Sequence, residues 1–243
     1  MKFDILTIFP EMFSAYLREG VLGRAVKKGV VDAGIVNIRD FARGPHRTTD
    51  DRPYGGGDGM VMKPGPLCRA LESVDRVKGE SLVILLSPQG EKFDQAIAWE
   101  LSGWNQLILV CGRYEGVDER VRLTCVDREL SIGDFILSGG ELGAMVIMDA
   151  VSRLITGVLG GETSNLEESF ENGLLEYPQY TRPGVFDGKE VPEILLSGDH
   201  EKIRLWRRTE SLKRTLERRP DLLKKAKLTR QDELVLARLR EEV

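Results

Sequence analysis

Three glycine-containing segments of the chain could together form a pocket for a nucleoside-like ligand. They are Ser87–Gly90, Cys111–Gly116 and Ser131–Gly140, and each follows a predicted strand. In open parallel sheets, ligands bind beyond the carboxyl ends of the strands, where such segments meet. Glycine lets a ligand approach the backbone closely and exposes amide groups that can bind an adenine edge. The alternative is that the segments are only tight connections between strands and helices.

The sequence lacks the nucleotide-binding motifs that are most familiar in α/β proteins. No GxGxxG follows the first predicted strand, and no GxxxxGK(S/T) occurs anywhere. His46 and His200 form no HExxH motif and have no cysteine beside them, so we predict no metal site. A nucleoside-like ligand would therefore be held late in the sheet, in an uncommon way.

Composition predicts a protein with a substantial core in a reducing compartment. Hydrophobic residues make up 41% of the chain and charged residues 30%. The three cysteines form no CxxC pair, which favours reduced thiols over a disulfide framework. No apolar run is long enough to span a membrane, and Asp4 interrupts the stretch that a signal peptide would keep apolar. We expect a cytoplasmic location and no membrane contact.

Basic residues are concentrated near the end of the chain. From His200 to Arg230 there are twelve Lys or Arg and four Asp or Glu, a local charge of +8, whereas the net charge of the chain is −4. The remainder therefore carries −12, an asymmetry that suggests a basic module joined to an acidic one. Phosphate contact explains such an excess better than the solvated side of a helix pair, the other reading of this stretch.

Apolar strands and helices alternate in the first two thirds of the chain, which predicts a parallel sheet covered on both faces. The predicted strands cover 3–9, 35–38, 81–86, 107–110 and a short stretch around Leu130.

Helices are expected after Pro10, over 93–101, and over about 139–155. Met12, Tyr16 and Leu17 would lie on the apolar side of the first. Ser138 and Glu141 would form a capping box at the start of the last.

The last third of the chain has a different character, because predicted strands disappear after Asn172. Asp199 is placed to cap a helix that runs through Arg219, and Thr229 to begin a final helix. We therefore predict an α/β ligand-binding domain over 1–160, a flexible linker over 161–176, and a small all-α basic domain over 177–243.

Several long motifs in this sequence resemble those of the bacterial tRNA (guanine-N1)-methyltransferase family, the TrmD type. The resemblance runs almost from end to end and includes the glycine segments. Its further motifs are Ile8-Phe9-Pro10-Glu11-Met12-Phe13, Arg52-Pro53-Tyr54-Gly55-Gly56-Gly57 and Gly173-Leu174-Leu175-Glu176-Tyr177-Pro178-Gln179-Tyr180-Thr181-Arg182-Pro183.

The resemblance implies a fold and an activity that the spacing of residues in the sequence does not show. The family has the SPOUT fold, a mostly parallel sheet with a deep trefoil knot, although threaded chains are rare in general. It transfers a methyl group from S-adenosylmethionine to N1 of the guanosine 3′ of the anticodon. The resemblance further implies a homodimer with shared active sites, a helical domain that binds the anticodon arm of tRNA and, by family analogy only, a divalent metal.

The resemblance also assigns the cofactor site to the three glycine segments. For Ile132, Ile136 and Leu137, packing in the core is an equally good alternative. The implied residues are Leu86, Ser87, Pro88, Gly112, Tyr114, Glu115, Gly116, Ile132, Gly133, Asp134, Phe135, Ile136, Leu137, Gly139 and Gly140.

The reaction requires a base and a cation. N1 of guanine must lose its proton, and negative charge then builds on O6. Arg153 matches the family arginine that binds O6; otherwise it would be a solvated helix residue. The family base is an aspartate before Ser-Phe, where this chain has Glu168, so we predict Glu168 as the base. Glu167 beside it is the alternative, and both could simply solvate a linker.

For tRNA binding we expect Arg207, Arg208 and Arg214 in the basic stretch to contact phosphates. Two other functions stay open: an RNA methyltransferase of the same class acting on another base, and a non-catalytic RNA-binding sensor that keeps the pocket. A sensor would need neither Arg153 nor Glu168.

Overall fold

Five parallel strands form the central sheet in the computed structural model, which describes residues 1–160 and 167–241. Their order across the sheet is β2-β1-β6-β5-β7, and every neighbouring pair is parallel. The prediction of a mostly parallel α/β sheet is therefore confirmed. The strands are β1 (Lys2–Thr7), β2 (Asp32–Asn37), β5 (Ser81–Lys92), β6 (Gln106–Cys111) and β7 (Arg128–Ser131), while the two-residue strands β3 (Asp50–Asp51) and β4 (Val61–Met62) pair separately.

Helices cover both faces of this sheet. Side chains alternate between the faces along each strand, so an apolar strand places apolar side chains on both faces, and both must be covered. In β6, Leu107 and Leu109 pack into the core on one face, and Ile108 and Val110 into the core on the other. The first core is shared with α1 (Gly20–Lys27), α3 (Gln95–Ser102) and α5 (Glu141–Ser152), and the second with α2 (Pro64–Glu72) and α4 (Glu119–Cys125).

The strand β5 is longer than predicted. It continues past Leu86 to Lys92, and its register against β7 shifts between Leu86 and Glu91. Ser87–Gly90, predicted as a loop after the strand, is therefore an irregularity within it. A side chain at Gly90 would collide with the backbone of Leu130, so glycine permits this close approach of the two strands.

The helix predicted after Pro10 is wrong in extent. A single 3-10 turn spans Pro10–Phe13, and α1 begins only at Gly20, which has a φ of +66°. Tyr16 is held from outside this segment, since its hydroxyl donates to the carbonyl oxygen of Met145 at 2.8 Å. Tertiary contacts therefore decide this segment more than its local apolar spacing.

All three cysteines are free thiols. Two of them, Cys68 of α2 and Cys125 of α4, approach each other with their sulfur atoms 3.5 Å apart. Partial burial, together with the neighbouring Cys125, raises the pKa of Cys68 to about 11. The reduced state of the cysteines stays a prediction, and two of them meet in the fold.

The chain divides into two compact units, Met1–Glu162 and Thr163–Val243. The second unit contains α6 (Glu193–Leu196), α7 (His200–Arg218) and α8 (Arg230–Glu241). As predicted, Asp199 caps α7, with its carboxylate accepting from the amide of Lys202 at 3.1 Å. The unit is not all-α, because β8 (Val185–Phe186) and β9 (Lys189–Glu190) form a short exposed hairpin.

The predicted linker 161–176 lies partly outside the described residues, which exclude 161–166. Its described part is packed on the second unit. Leu174 is buried in a core with Leu212 of α7 and Leu236 of α8. The amide of Leu175 also donates to the hydroxyl of Thr215 at 2.8 Å. The division of the chain into functional domains stays a prediction.

One ion pair joins α7 to the start of α8. The guanidinium of Arg208 donates two hydrogen bonds to the buried carboxylate of Asp232, at 2.9 and 2.8 Å. Asp232 also accepts from the amide and hydroxyl of Thr229, both at 2.8 Å. Arg208 first, then Thr229, lower the pKa of Asp232 from 3.8 to about 2.

We expect Asp232→Asn to lower the free energy of unfolding near neutral pH by about 2 kcal/mol. The native carboxylate binds its proton more weakly than the unfolded one. Its contribution is therefore present above the unfolded pKa of 3.8 and lost as pH falls towards about 2. Urea unfolding of both proteins across this range should show the difference closing. Asp221→Asn, which breaks an exposed pair with Arg219, is the control and should have little effect.

No helix among residues 1–160 and 167–241 is long and apolar enough to cross a membrane.

Candidate active site

A cavity of about 410 Å³ opens at the irregular part of β5 and at the carboxyl ends of β6 and β7. This volume is within the usual range for small-molecule sites. The structure brings the three glycine segments together here, as the sequence analysis expected of a pocket. Among the predicted cofactor residues, those that line the cavity are Leu86, Ser87, Pro88, Gly112, Tyr114, Glu115, Gly116, Ile132, Gly133, Phe135, Ile136, Leu137, Gly139 and Gly140.

Asp134 is the one predicted cofactor residue that does not line the cavity. Its carboxylate lies 3.1 Å from the ammonium of Lys92, and its side chain is almost fully exposed. The adjacent Gly133 and Phe135 do line the cavity. Asp134 therefore points to solvent, whereas its two neighbours border the cavity.

The glycines at the start of α5 allow three pieces of chain to meet. A side chain on Gly140 would come within 2.9 Å of the Cα of Cys111 and the Cβ of Leu86. The amide of Gly140 instead donates to the carbonyl oxygen of Gly112 at 2.9 Å. These contacts bring the ends of β5 and β6 against the start of α5 and so form one wall of the cavity.

The second segment contains a strained residue at the cavity. Tyr114 has a φ of +61°, which side chains other than glycine rarely adopt. Its ring is half exposed and lines the cavity. Strained conformations of this kind concentrate at functional sites, where the surrounding structure holds them.

The third segment gives the cavity an apolar rim. Ile136 is 80% exposed, and the neighbouring Phe135 and Leu137 are also exposed. Packing in the core, the alternative considered for Ile136 and Leu137, is therefore wrong. Ile132 is half buried and also lines the cavity. Exposed apolar side chains beside a cavity offer a surface for an apolar ligand group.

A buried carboxylate supports the wall of the cavity. Glu141 is 1% exposed and accepts from the hydroxyl of Thr7 at 2.8 Å and from Nε of Arg113 at 3.0 Å. The predicted capping box with Ser138 is wrong, since α5 has Gly140 at its N-cap and no capping side chain. Glu141 instead joins the end of β1 to the segment after β6.

Arg113 also lines the cavity, although it was not among the predicted site residues. Its guanidinium carbon lies 4.5 Å from the ring centroid of Phe9, a cation–π contact. A side chain on Gly139 would collide with Arg113 and with Glu141. In the sequence, the position of Glu141 directly after two glycines is a signal for its pairing with Arg113. The same position fits a helix-capping box equally well.

We expect Glu141→Gln to lower the free energy of unfolding by about 1–3 kcal/mol. Glutamine keeps the shape but removes the charge that neutralises the mostly buried Arg113 and leaves one of the two donors without its acceptor. Glu100→Gln is the matched control. Glu100 pairs with Arg128 from a mostly exposed position, so its loss should change stability little. Equal urea midpoints for the two variants would contradict a supporting role for Glu141.

Arg153 does not line the cavity. It follows the last residue of α5, where its backbone amide donates to the carbonyl oxygen of Asp149 at 3.3 Å. Gly140 and Gly143, at the other end of the helix, do line the cavity. At 1.5 Å per residue, the two ends are about 18 Å apart. Within one chain, the arginine and the cavity therefore lie at opposite ends of α5.

The two candidate bases lie in the second unit. Glu167 accepts from the hydroxyl of Tyr177 at 2.9 Å, and its carboxylate lies 3.8 Å from the guanidinium of Arg207. That guanidinium covers the ring of Tyr177 at 4.8 Å. Burial first, then Glu167, raises the pKa of Tyr177. Glu167 is thus bonded to Tyr177 and lies near Arg207 of α7. Glu168, the next residue, is half buried.

The three arginines predicted to bind phosphate have different surroundings. Arg208 is engaged by Asp232, and Arg207 by Tyr177 and Glu167. Arg214 is half buried on α7. Exposed cations of the same helix are Lys202, Arg204, Lys213 and Arg218. Arg207 and Arg208 therefore also have roles within the unit.

Comparisons with known proteins identify the family. The family described as tRNA (Guanine-1)-methyltransferase TrmD matches residues 1–225. Proteins named tRNA (guanine-N(1)-)-methyltransferase are similar over nearly their whole length. The one from Dictyoglomus turgidum is 57% identical, with 100% of each chain covered. The one from Pelotomaculum thermopropionicum is 56% identical (98% of this chain and 96% of its own), and the one from Geobacter sulfurreducens is 56% identical (100% and 99%). The chain belongs to the tRNA (Guanine-1)-methyltransferase TrmD family.

Proposed function

We propose that this protein transfers a methyl group from S-adenosylmethionine to N1 of the guanosine 3′ of the anticodon in tRNA. The observation that carries the proposal is the cavity beside β5, β6 and β7, lined by the three glycine segments. Family membership supports the reaction and the class of substrate.

The cavity suits the shape and charge of the methyl donor. S-adenosylmethionine supplies a methyl group on a positively charged sulfur. Backbone groups of the second and third glycine segments that line the cavity can bind the adenine edge, and the apolar side chains of Ile132 and Ile136 can cover the ring. Glu115 also lines the cavity and offers negative charge to a cationic ligand.

The residues of this chain would supply a base and a cation to guanine. Glu168 takes the N1 proton, which frees the nitrogen lone pair for attack on the methyl group. Arg153 donates hydrogen bonds to O6, where negative charge builds as the proton leaves. Glu167 stays bound to Tyr177 and Arg207 and does not take the proton.

The position of Arg153 supports a homodimer with shared active sites. Its distance of about 18 Å from the cavity, along α5, is more than one side chain can cover. Arg153 therefore acts at the cavity of the partner chain. The resemblance to the family supports the same arrangement, together with the SPOUT fold and its deep trefoil knot.

Substrate RNA is bound by the basic second part of the chain. Residues 1–160 hold the cofactor, 161–176 carry the base, and 177–243 contact the anticodon arm. The local charge of +8 between His200 and Arg230 supports this division.

The charge asymmetry makes a salt-dependence prediction. Replacing Arg207, Arg208 and Arg214 together by glutamine should flatten the plot of log affinity for tRNA against log salt. Each lost phosphate contact removes a slope of about 0.7–0.9. Affinity for S-adenosylmethionine should not change. The single variant Arg214→Gln tests phosphate contact without loss of stability, whereas the triple variant also removes Arg208, which stabilises the unit through Asp232. An unchanged slope would mean that these arginines do not contact phosphate.

Among residues 1–160 and 167–241, no three His, Cys, Asp or Glu side chains gather in an arrangement that could hold a metal ion.

Two measurements test the proposal directly. Calorimetry should show binding of S-adenosylmethionine and of its demethylated product, and no binding of NAD. Incubation with labelled methyl donor and unmodified tRNA should then transfer label to the RNA. Binding without label transfer would support the alternative of a non-catalytic sensor, and tight NAD binding alone would refute the cofactor assignment.

A further inference from the structure

The loop between β3 and β4 is closed at its base. Asp50 pairs with Met62, and Asp51 with Val61, in antiparallel register. Lys63 fastens the same point, because its ammonium lies 3.3 Å from the carboxylate of Asp51 and 3.0 Å from the hydroxyl of Thr48. Residues 52–60 therefore project from a fixed base.

The tip of this loop carries a fully exposed aromatic ring. Tyr54 has a relative exposure of 101%, the largest of the exposed apolar and aromatic side chains in the described parts of the chain. The glycines that follow, at 55, 56, 57 and 59, all have positive φ, and side chains on the first three would meet nothing within 4 Å. A ring left in water adds little to folding and is accessible to another molecule.

The loop is also attached to the wall of the cavity. The carbonyl oxygen of Met60 accepts from the amide of Glu115 at 2.9 Å, and the amide of Met62 donates to the carbonyl oxygen of Gly116 at 2.9 Å. Both partners line the cavity. These backbone hydrogen bonds attach the loop that carries Tyr54 to two residues of the cavity wall.

Exposed arginines near Tyr54 can contact an RNA backbone. Arg43, Arg47 and Arg52 are exposed on the same polar segment, where Arg47 pairs with Asp40 at 3.3 Å and the carboxylate of Asp51 accepts from the amide of Arg52 at 2.9 Å. Proteins that bind unpaired RNA combine cations for the backbone with aromatic rings on which bases stack. Such a combination, next to a cavity for base modification, matches an unstacked nucleobase better than an apolar protein surface.

We propose that Tyr54 is a stacking platform for an unpaired nucleobase of the RNA substrate, next to the base that is methylated. The proposal rests on the proposed function and adds a contact from the first unit of the chain to those expected from the basic second unit.

Substitution of Tyr54 tests this contact without disturbing the fold. Tyr54→Ala should raise the KM for tRNA by about 5- to 100-fold, the range that base–aromatic stacking contributes. Tyr54→Phe keeps the ring and should behave like the wild type. Leu123→Ala, at another exposed apolar position of the first unit, is the matched control. Affinity for S-adenosylmethionine and the Tm should be the same in all four proteins.

Three outcomes separate this inference from the proposed function. A normal KM for tRNA in Tyr54→Ala would refute the stacking role even if methyl transfer is intact. A changed sedimentation pattern with a normal KM would show that Tyr54 contacts another copy of the chain instead. If the wild type transfers no methyl group, the proposed function fails, and tRNA affinity of the same variants, measured by fluorescence anisotropy, still tests the stacking.

Discussion

Replacement of Glu168 by glutamine is expected to slow single-turnover methyl transfer by about a hundredfold to ten-thousandfold. Glutamine preserves the size of the side chain but cannot accept the N1 proton. Binding of the methyl donor and of tRNA should stay close to normal, because the lost function is proton transfer. Rapid-quench measurements with enzyme in excess separate this chemical step from substrate binding.

Glu167→Gln is the matched control for this prediction, one position away. Its carboxylate is occupied by Tyr177 and Arg207, so its loss should change the rate little. Glu168→Asp should retain much activity, since aspartate is the residue that the family resemblance places here. Higher pH should partly rescue Glu168→Gln, as hydroxide begins to remove the proton. A larger defect in Glu167→Gln would show that the assignment is one residue out of register.

Arg153→Ala is expected to lower kcat by about a hundredfold to a thousandfold. This is the usual effect of removing one donor to a developing oxyanion. Arg153→Lys keeps the charge without the planar pair of donors and should lose less. Arg24→Ala, at an exposed position of α1, serves as the control and should have normal activity. A normal kcat in Arg153→Ala would remove this arginine from the reaction.

The proposed sharing of the active site makes a sharper version of this test. Suppose that each site takes Arg153 from one chain and Glu168 from the other. A mixed dimer of Arg153→Ala and Glu168→Gln chains then contains one intact site and regains activity. If both residues come from the same chain, no mixture regains activity. A fully active monomer in sedimentation would contradict a shared site altogether.

The sheet was predictable because its strands are buried on both faces. Stretches such as 81–86 and 107–110 are continuously apolar, and such runs have few alternatives to a central parallel strand. The glycine segments were predictable as a pocket for a related reason. The carboxyl ends of parallel strands meet at one edge, so segments that follow three such strands must come together.

Side-chain partners distant in the sequence were not predictable in the same way. Glu141 carries a local signal for helix capping, and only the fold brings Thr7 and Arg113 to its carboxylate. The same limit applies to Arg208. Its charge suggests phosphate binding, but in the fold its guanidinium donates to the carboxylate of Asp232. β8 and β9 are two residues long and exposed, which is too short for an alternating pattern to be visible.

The most direct test of the central claim is to map the methylated nucleoside. Two tRNA transcripts, differing only in guanosine or adenosine at the position 3′ of the anticodon, are incubated with the protein and S-adenosylmethionine. Mass spectrometry of the digested RNA should find 1-methylguanosine at that position in the first transcript and no methylation of the second. Methylation elsewhere, or of both transcripts alike, would contradict the proposed function.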